Sequence, residues 1–263
     1  MRKFQFRRRL PGRSAFFNAF LAWTVVSTFV HVLLLVFYGL RRYGKQNVTP
    51  DGPAIYIANH QSHLDPPIVG VLIADRPFTS LARATLFRNR FFGALIRWLG
   101  AVPLQQGRGD TAAMKTALAE LQAGRRILIF PEGSRTPDGT LQPFQRGVLL
   151  LIKRARVPVI PIALDGAYDI WPAHRALPRL TGRLAVIAGK PIDPDALLAD
   201  GPDAALQHLR RTVETLRLTV RRKLHNRTGG RRPTPGPADA PYWQHEPEAG
   251  SVEPSAAEVI EMH

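Results

Sequence analysis

Two histidines and an aspartate lie within residues 59–66, a segment of sequence NHQSHLDP. A turn between His60 and Asp65, which are five residues apart, can bring the carboxylate to the imidazole. The carboxylate then fixes the histidine tautomer and stabilises the imidazolium, so that the other ring nitrogen can act as a general base. His63 is a rival for that role. The spacing also fits a structural interpretation, in which Asp65 caps a helix starting at Pro66 and His60 is an ordinary loop histidine.

A second polar segment, FPEGSR at residues 130–135, directly follows an apolar run. Gly133 allows a ligand to approach the backbone closely, Ser134 supplies a hydroxyl, and the guanidinium of Arg135 presents paired donors suited to phosphate. The composition is also common in simple turns. Both polar segments follow predicted strands, and ligands of open α/β sheets bind beyond the carboxyl ends of the strands. We therefore expect the two segments to form one site.

Short β-like runs and helical patterns alternate along the chain, and these elements must position the polar segments. Strands are predicted at residues 53–58, 79–82, 127–130, 157–164 and 184–188, and helices at 88–99, 110–123 and 204–224. This alternation predicts an α/β domain over residues 46–226, with a mixed β-sheet flanked by helices. The last helix has apolar residues at spacings of three and four, and we interpret its other face as a basic surface for anionic headgroups. That face carries Arg210, Arg211, Arg217, Arg221 and Arg222.

The N-terminal region, residues 1–45, contains nine basic residues and no acidic residue. Within it, residues 15–40 are free of charge, and about 20 apolar residues suffice to span the hydrocarbon core of a bilayer. The run is longer than the apolar region of a signal peptide. We therefore predict a retained membrane-embedded helical segment, and a buried core helix is the alternative. Arginines flank both ends, so a half-inserted helix or a helical hairpin fits as well as a full span.

Composition excludes several classes of protein. The chain has 263 residues, a net charge of +16 and no cysteine, which excludes disulfide scaffolds, thiolate zinc sites, iron–sulfur clusters and cysteine nucleophiles. No cluster of ligand residues suggests a metal. The positive charge predicts a polyanionic partner. The apolar segment favours a bilayer with anionic lipids over nucleic acid, since the basic residues of the helix predicted at 204–224 are not interleaved with aromatic residues. Residues 227–263, with three basic and six acidic residues, are predicted to be a disordered tail.

The two polar segments together resemble the glycerolipid acyltransferases. NHQSHLD is similar to their block of a histidine and an aspartate separated by four residues, FPEGSR to their phosphate-binding block, and VPVIPI at residues 157–162 to their last block. The order, the spacing and the N-terminal segment resemble the 1-acylglycerol-3-phosphate acyltransferase branch.

The resemblance implies that an acyl group passes from acyl-CoA or acyl-carrier protein to lysophosphatidate, with no cofactor. It favours His60 over His63 as the base, oriented by Asp65. The resemblance also implies a set of residues that position the acceptor, in which Arg135 meets the phosphate and Arg146 is a second candidate for it. That set is Glu132, Gly133, Ser134, Arg135 and Arg146.

One segment departs from the family's pattern. Where the family usually has an Asp-Arg pair after a short strand, this chain has Gln105 and Gln106, and Arg108 follows two residues later. Either Arg108 takes over the contact with phosphate, or the acceptor is another lyso-lipid, such as a lyso-aminolipid or lysophospholipid. The expected location is a bacterial-type cell membrane, with the active site facing the cytoplasm.

Overall fold

A computed structural model describes residues 13–48, 52–73, 78–83, 101–104 and 109–245. Within these residues seven strands form one sheet, with the order β1-β7-β6-β2-β5-β3-β4. All neighbouring strands are parallel except β6 and β7, which are antiparallel, so the predicted mixed sheet is confirmed. The strands are β1 (Arg41–Tyr43), β2 (Ala54–Ala58), β3 (Thr79–Arg83), β4 (Ala101–Leu104), β5 (Arg126–Ile129), β6 (Val159–Asp165) and β7 (Ala185–Ala188).

Helices cover both faces of this sheet, as predicted for the fold class. They are α1 (Arg13–Tyr38), α2 (Asp65–Leu72), α3 (Gly109–Gln122), α4 (Gly147–Ala155), α5 (Ala167–Ile170), α6 (Pro194–Leu198), α7 (Pro202–Thr228) and α8 (Tyr242–His245). Two short 3-10 turns occur at Lys45–Asn47 and Pro237–Asp239. The helix predicted at residues 88–99 lies outside the described residues.

Strand β2 lies at the centre of the sheet and is buried on both sides. Successive side chains of a strand point to opposite faces. Ile55 and Ile57 accordingly pack among the side chains of α3, α4 and α7, whereas Tyr56 packs on the other face with α1 and α2. An unbroken apolar run of this kind is typical of parallel sheets with helices on both faces. The carboxyl end of β2 therefore emerges from a well-packed core.

Helix α1 confirms the helical part of the N-terminal prediction. Leu34 and Tyr38 are buried in the core on the α2 side of the sheet. Seven other large apolar side chains beyond residue 24 are largely exposed, namely Val25, Phe29, Val32, Leu33, Leu35, Val36 and Phe37. Over the described part of the chain, no helix combines the length and apolar character needed to cross a membrane. The prediction of a membrane-embedded segment is therefore not supported.

Helix α7 corrects the prediction of a basic outer face. Arg210, Arg211, Arg217 and Arg221 are buried, and of the five predicted arginines only Arg222 is exposed. The Arg217 guanidinium donates to both carboxylate oxygens of Glu214, at 2.7 and 2.8 Å, and to the Ala238 carbonyl at 2.8 Å. A helix with cationic side chains on one face looks amphipathic in sequence, but here acidic and carbonyl partners cover that face.

The chain after α7 supplies part of that cover, so the prediction of disorder is wrong for residues 227–245. Asp239 accepts a hydrogen bond from Arg221 at 2.6 Å, and the Tyr242 ring lies 3.6 Å from the Arg210 guanidinium carbon. Tyr242 is only 3% exposed. Hydrogen bonds and ring contacts to arginines, rather than a run of apolar residues, hold this segment in place. Residues 246–263 lie outside the described residues.

Candidate active site

The site begins where the chain leaves β2. Asn59 forms a pair of hydrogen bonds with Leu164 of β6, since its Nδ2 donates to the carbonyl at 3.0 Å and its Oδ1 accepts from the amide at 2.9 Å. Asn59 is itself buried. The position of the next residue, His60, is therefore fixed by the two central strands.

The structure brings His60 and Asp65 together, as predicted. His60 Nδ1 lies 2.7 Å from Asp65 Oδ2, which also accepts from the backbone amides of Gln61 at 2.6 Å and Ser62 at 2.7 Å. Asp65 is fully buried, whereas the His60 side chain is 20% exposed. These hydrogen-bond partners all precede Asp65 in the chain, so its carboxylate orients the imidazole rather than capping the helix that it begins. His60 Nε2 remains as the nitrogen that can meet a substrate hydroxyl.

Two opposing influences act on the Asp65 carboxyl. Burial raises its pKa, and the hydrogen bonds from His60, Ser62 and Gln61 offset only part of that rise. The three donors all converge on Oδ2 and so favour the carboxylate that an imidazolium would need as its partner.

The Phe130 ring provides a second constraint on the imidazole. It stacks on the His60 ring with centroids 4.1 Å apart and an angle of 18° between the planes. Phe130 directly follows β5, the neighbour of β2 in the sheet. The two polar segments thus meet at the carboxyl ends of adjacent parallel strands, as the sequence analysis expected.

Glu132 connects the two segments from the inside. Its Oε1 accepts from the His60 amide at 2.5 Å and its Oε2 from the Gln142 amide at 2.9 Å. The His60 carbonyl in turn accepts from the Thr136 amide at 2.8 Å. Burial raises the pKa of Glu132 to about 8, although both backbone amides oppose the rise. Glu132 was predicted only to position the acceptor. Its hydrogen bond to the His60 backbone was not predicted.

The next three residues face outward. Gly133 and Ser134 are exposed, and Arg135 is half-buried. Gly133 has a φ of 72°, and a Cβ there would come within 2.2 Å of the Gln145 side chain. Glycine suits this turn because other residues are strained at this φ and their Cβ would displace the Gln145 amide, and the turn presents Ser134 and Arg135 at the surface beside residues 60–65.

Arg135 also contacts the rival histidine. Its guanidinium lies against His63 Nε2, while the His63 ring packs on Trp171 with centroids 4.9 Å apart. Burial, with contributions from Arg135 and His60, lowers the pKa of His63. In the described part of the chain the His63 ring contacts Arg135 and Trp171 but no carboxylate, so it is less well suited than His60 to accept and release a proton.

Arg146, another predicted residue, is not joined to this group. Arg146 pairs with Asp203 of α7 at 2.6 Å, and both side chains are exposed. Arg108 lies outside the described residues, together with Gln105 and Gln106. Among the residues that the structure describes, no three His, Cys, Asp or Glu side chains converge as metal ligands would.

Comparison with known proteins points to one family. Residues 39–165 match the family model described as Acyltransferase. The chain is 31% identical over 171 residues to the chloroplastic 1-acyl-sn-glycerol-3-phosphate acyltransferase of Arabidopsis thaliana, a match that covers 64% of this chain and 48% of the relative. The protein of that name from Bacillus subtilis is 26% identical, over 61% of this chain and 77% of its own.

A solved structure has a similar fold. The crystal structure of the 1-acyl-sn-glycerophosphate acyltransferase PlsC from Thermotoga maritima matches with a TM-score of 0.63 and 25% identity, over 77% of this chain and 85% of that chain. The chain spans about half the length of the first plant relatives, at 48% and 49%.

Proposed function

Because residues 39–165 carry a domain of the acyltransferase family, we propose that this protein acylates the free hydroxyl of 1-acylglycerol-3-phosphate to give phosphatidate. The acyl donor is a thioester, either acyl-CoA or acyl-carrier protein. The observation that carries the proposal is the 2.7 Å contact between His60 and the buried Asp65, beside the outward-facing Ser134 and Arg135. A base, its orienting carboxylate and a cationic donor for phosphate are thereby close together.

The proposed reaction needs no covalent intermediate on the protein. His60 Nε2 takes the proton from the acceptor hydroxyl as its oxygen attacks the thioester carbonyl. The carbon–sulfur bond then breaks, and the leaving thiolate recovers the proton from the imidazolium. Asp65 stabilises the positive ring between these two transfers. General-base assistance is worth about 10²–10⁴-fold, so positioning of the two substrates supplies much of the remaining acceleration.

Acceptor binding is assigned to the outward turn after β5. Arg135 presents its guanidinium to the acceptor phosphate, and Gly133 and Ser134 line the approach. Glu132 acts on the other side of the backbone, where it keeps the His60 amide in place. Arg146 is a second candidate for the phosphate, for which it would have to leave the exposed pair with Asp203, and exposed ion pairs of this kind are weak.

A second acceptor class is supported by the sequence between β4 and α3. Gln105 and Gln106 stand where the family usually has Asp and Arg, and an amide donates hydrogen bonds but carries no charge. A lyso-aminolipid or another lysophospholipid would need less positive charge at that point. The chemistry at His60 would be the same.

We also propose that the protein works at a membrane surface that contains anionic lipids. Both lipid substrates reside in bilayers, and α1 exposes seven large apolar side chains beyond residue 24. The proposal does not need a helix that crosses the bilayer, since an apolar helix face can lie in the headgroup region. The nucleic-acid alternative loses its main support because four of the five arginines that suggested it are buried. A bacterial-type membrane with a cytoplasm-facing site stays a prediction.

Acyl transfer from labelled acyl-CoA and acyl-carrier protein tests the proposal. Membranes that contain the wild type or His60→Ala would be given lysophosphatidate or a phosphate-free lyso-lipid, with His208→Ala as a matched control on the exposed surface of α7. We expect transfer to lysophosphatidate by the wild type and the control and none by His60→Ala. Activity that survives in His60→Ala but not in His63→Ala would refute the assigned base. A clear preference for the phosphate-free acceptor would refute the assigned substrate.

A further inference from the structure

The loop between α5 and β7, residues 172–183, exposes apolar side chains without a partner in the described structure. Leu177 and Leu180 are each 75% exposed, more than any other large hydrophobic side chain that the structure describes. A single exposed leucine is unremarkable in a soluble protein, but two of them three residues apart on one loop form a local apolar tip. This tip needs an explanation that the fold does not provide.

The same loop is strongly basic. It carries Arg175, Arg179 and Arg183 together with His174, and it contains no acidic residue. All three arginines are exposed, and in the described part of the chain none lies within ion-pair distance of a carboxylate. The buried arginines of α7 are held by acidic and carbonyl partners, whereas these three direct unneutralised charge toward the solvent beside the two leucines.

Hydrogen bonds attach the loop to two other parts of the fold. The carbonyl of Trp171 accepts from the Ser62 hydroxyl at 2.7 Å and from the His63 amide at 3.4 Å. The carbonyl of Arg179 accepts from the Tyr38 hydroxyl at 2.9 Å. The loop is therefore attached on one side to the turn that holds the base and on the other to the end of α1.

The side of attachment matters because α1 carries the other large group of exposed apolar residues. Phe37 is half exposed and directly precedes Tyr38, whose hydroxyl binds the loop. The loop that carries the apolar tip is thus in contact with the end of α1, next to Phe37. An apolar surface flanked by unpaired arginines complements the boundary between anionic headgroups and acyl chains.

We propose that residues 172–183 form a membrane-docking loop, in which Leu177 and Leu180 enter the headgroup region and the three arginines contact anionic lipid phosphates. The proposal rests on the proposed function, since it assigns the bilayer that supplies the acceptor as the partner of this loop. Docking would hold the turn at His60 against the surface from which the acceptor is drawn. Each basic residue near an anionic surface strengthens binding about fivefold, so three should contribute on the order of 100-fold.

Vesicle binding without substrates tests the loop directly. We would compare flotation with vesicles of phosphatidylglycerol and phosphatidylcholine for the wild type, Leu177→Asp/Leu180→Asp and Arg175→Gln/Arg179→Gln/Arg183→Gln. The matched controls are Leu150→Asp, at an exposed leucine of α4, and Lys153→Gln/Arg154→Gln/Arg222→Gln, which removes the same charge from exposed positions elsewhere. We expect a loss of about 10–100-fold in affinity for the two loop variants and less than threefold for the controls.

Activity measurements separate this proposal from the proposed function. With a short-chain lysophosphatidate dissolved below its critical micelle concentration, the loop variants should match the wild type. With a long-chain acceptor embedded in vesicles, they should lose activity in parallel with binding. Unchanged vesicle binding in both loop variants would overturn the docking loop even if acyl transfer is seen. Loss of binding to acyl-carrier protein with unchanged vesicle binding would also overturn it, in favour of a protein partner. Loss of vesicle binding in a protein that transfers no acyl group would overturn the proposed function alone.

Discussion

Replacing Asp65 with asparagine removes the negative charge of the carboxylate and nearly preserves the shape of the side chain. The asparagine oxygen can occupy the place of Oδ2 and keep the three hydrogen bonds from His60, Gln61 and Ser62. Its amide nitrogen would then take the place of Oδ1, which is buried and has no hydrogen-bond partner among the described residues. A buried amide without an acceptor costs about 1–3 kcal/mol of folding free energy. The fold should therefore survive with a lower melting temperature.

The catalytic loss should be larger than the structural one. Without the carboxylate, the imidazolium that forms during proton transfer has no anionic partner. Since general-base assistance contributes about 10²–10⁴-fold, kcat should fall by an amount in that range, equivalent to about 3–5 kcal/mol of transition-state stabilisation. The KM for the acceptor should change little, because Asp65 is fully buried and does not reach the substrate.

The assay is steady-state acyl transfer to lysophosphatidate, with thermal melts to confirm that each protein is folded. Asp195→Asn is the matched control, since that carboxylate lies on α6 and its side chain is 65% exposed. The control should retain wild-type kcat. A folded Asp65→Asn protein with kcat within threefold of the wild type would refute the assigned role of the carboxylate.

Three further changes test the surroundings of the site. Glu132 binds a proton on folding between pH 4.5 and 8, because burial raises its pKa to about 8. The free energy of unfolding should therefore fall as pH rises through that window, by up to about 1.4 kcal/mol per pH unit. Glu132→Gln should remove this pH dependence. If urea denaturation shows the same pH dependence of stability in both proteins, the assigned protonation of Glu132 is contradicted. Gly133→Ala should lower both the melting temperature and the activity, since alanine is strained at a φ of 72° and its Cβ would displace the Gln145 amide; wild-type values of both would show that the turn is not needed. Arg217→Met should lower the free energy of unfolding, measured by chemical denaturation, by about 3–5 kcal/mol because it removes the cation that lies 2.7 Å from the buried Glu214 carboxylate. The double variant Arg217→Met/Glu214→Gln should recover part of that stability.

Much of the central sheet could be predicted from the sequence because its strands are short apolar runs with polar ends. The AIYIA run of β2 and the polar residues after it are local signals, and they placed His60 and Asp65 correctly at a strand end. Strand β1 was missed because its sequence is RRY, which has no apolar alternation, and it pairs with β7 only after the chain has returned to the sheet edge. Strand β1 therefore depends on pairing with β7, which is distant in the sequence.

The errors at α7 and the C-terminal segment have one physical cause. Residue composition indicates whether a segment can bury apolar surface. On that basis the arginines of α7 are predicted to be exposed and residues 227–245 to be disordered. The structure instead buries charge against charge: Arg217 meets Glu214, and Arg221 meets both Asp165 and Asp239. Glu214 and Arg217, three apart on one helix, were a local signal of such pairing. The contribution of Asp239 could not be read from any local pattern.

The role of Glu132 could not be predicted from the spacing of residues in the sequence. Glutamate beside glycine and serine is compatible with a surface turn, and nothing in FPEGSR shows which way each side chain points. Only the backbone geometry shows that the carboxylate turns inward to the His60 and Gln142 amides, while Ser134 and Arg135 turn outward.

The inward orientation of Glu132 and the outward orientation of Ser134 and Arg135 have an evolutionary consequence. The proposed base and its carboxylate lie within one turn, residues 60–65, held largely by the amides of that same turn, whereas the outward residues 133–135 come from a distant segment of the chain. Glu132 joins the two through main-chain amides, which are present whatever side chains surround them. Substitutions at Ser134 or Arg135 can therefore alter which headgroup is accepted without displacing the proton-transfer pair. A scaffold arranged in this way can acquire new lipid acceptors by small steps while its chemistry is inherited unchanged.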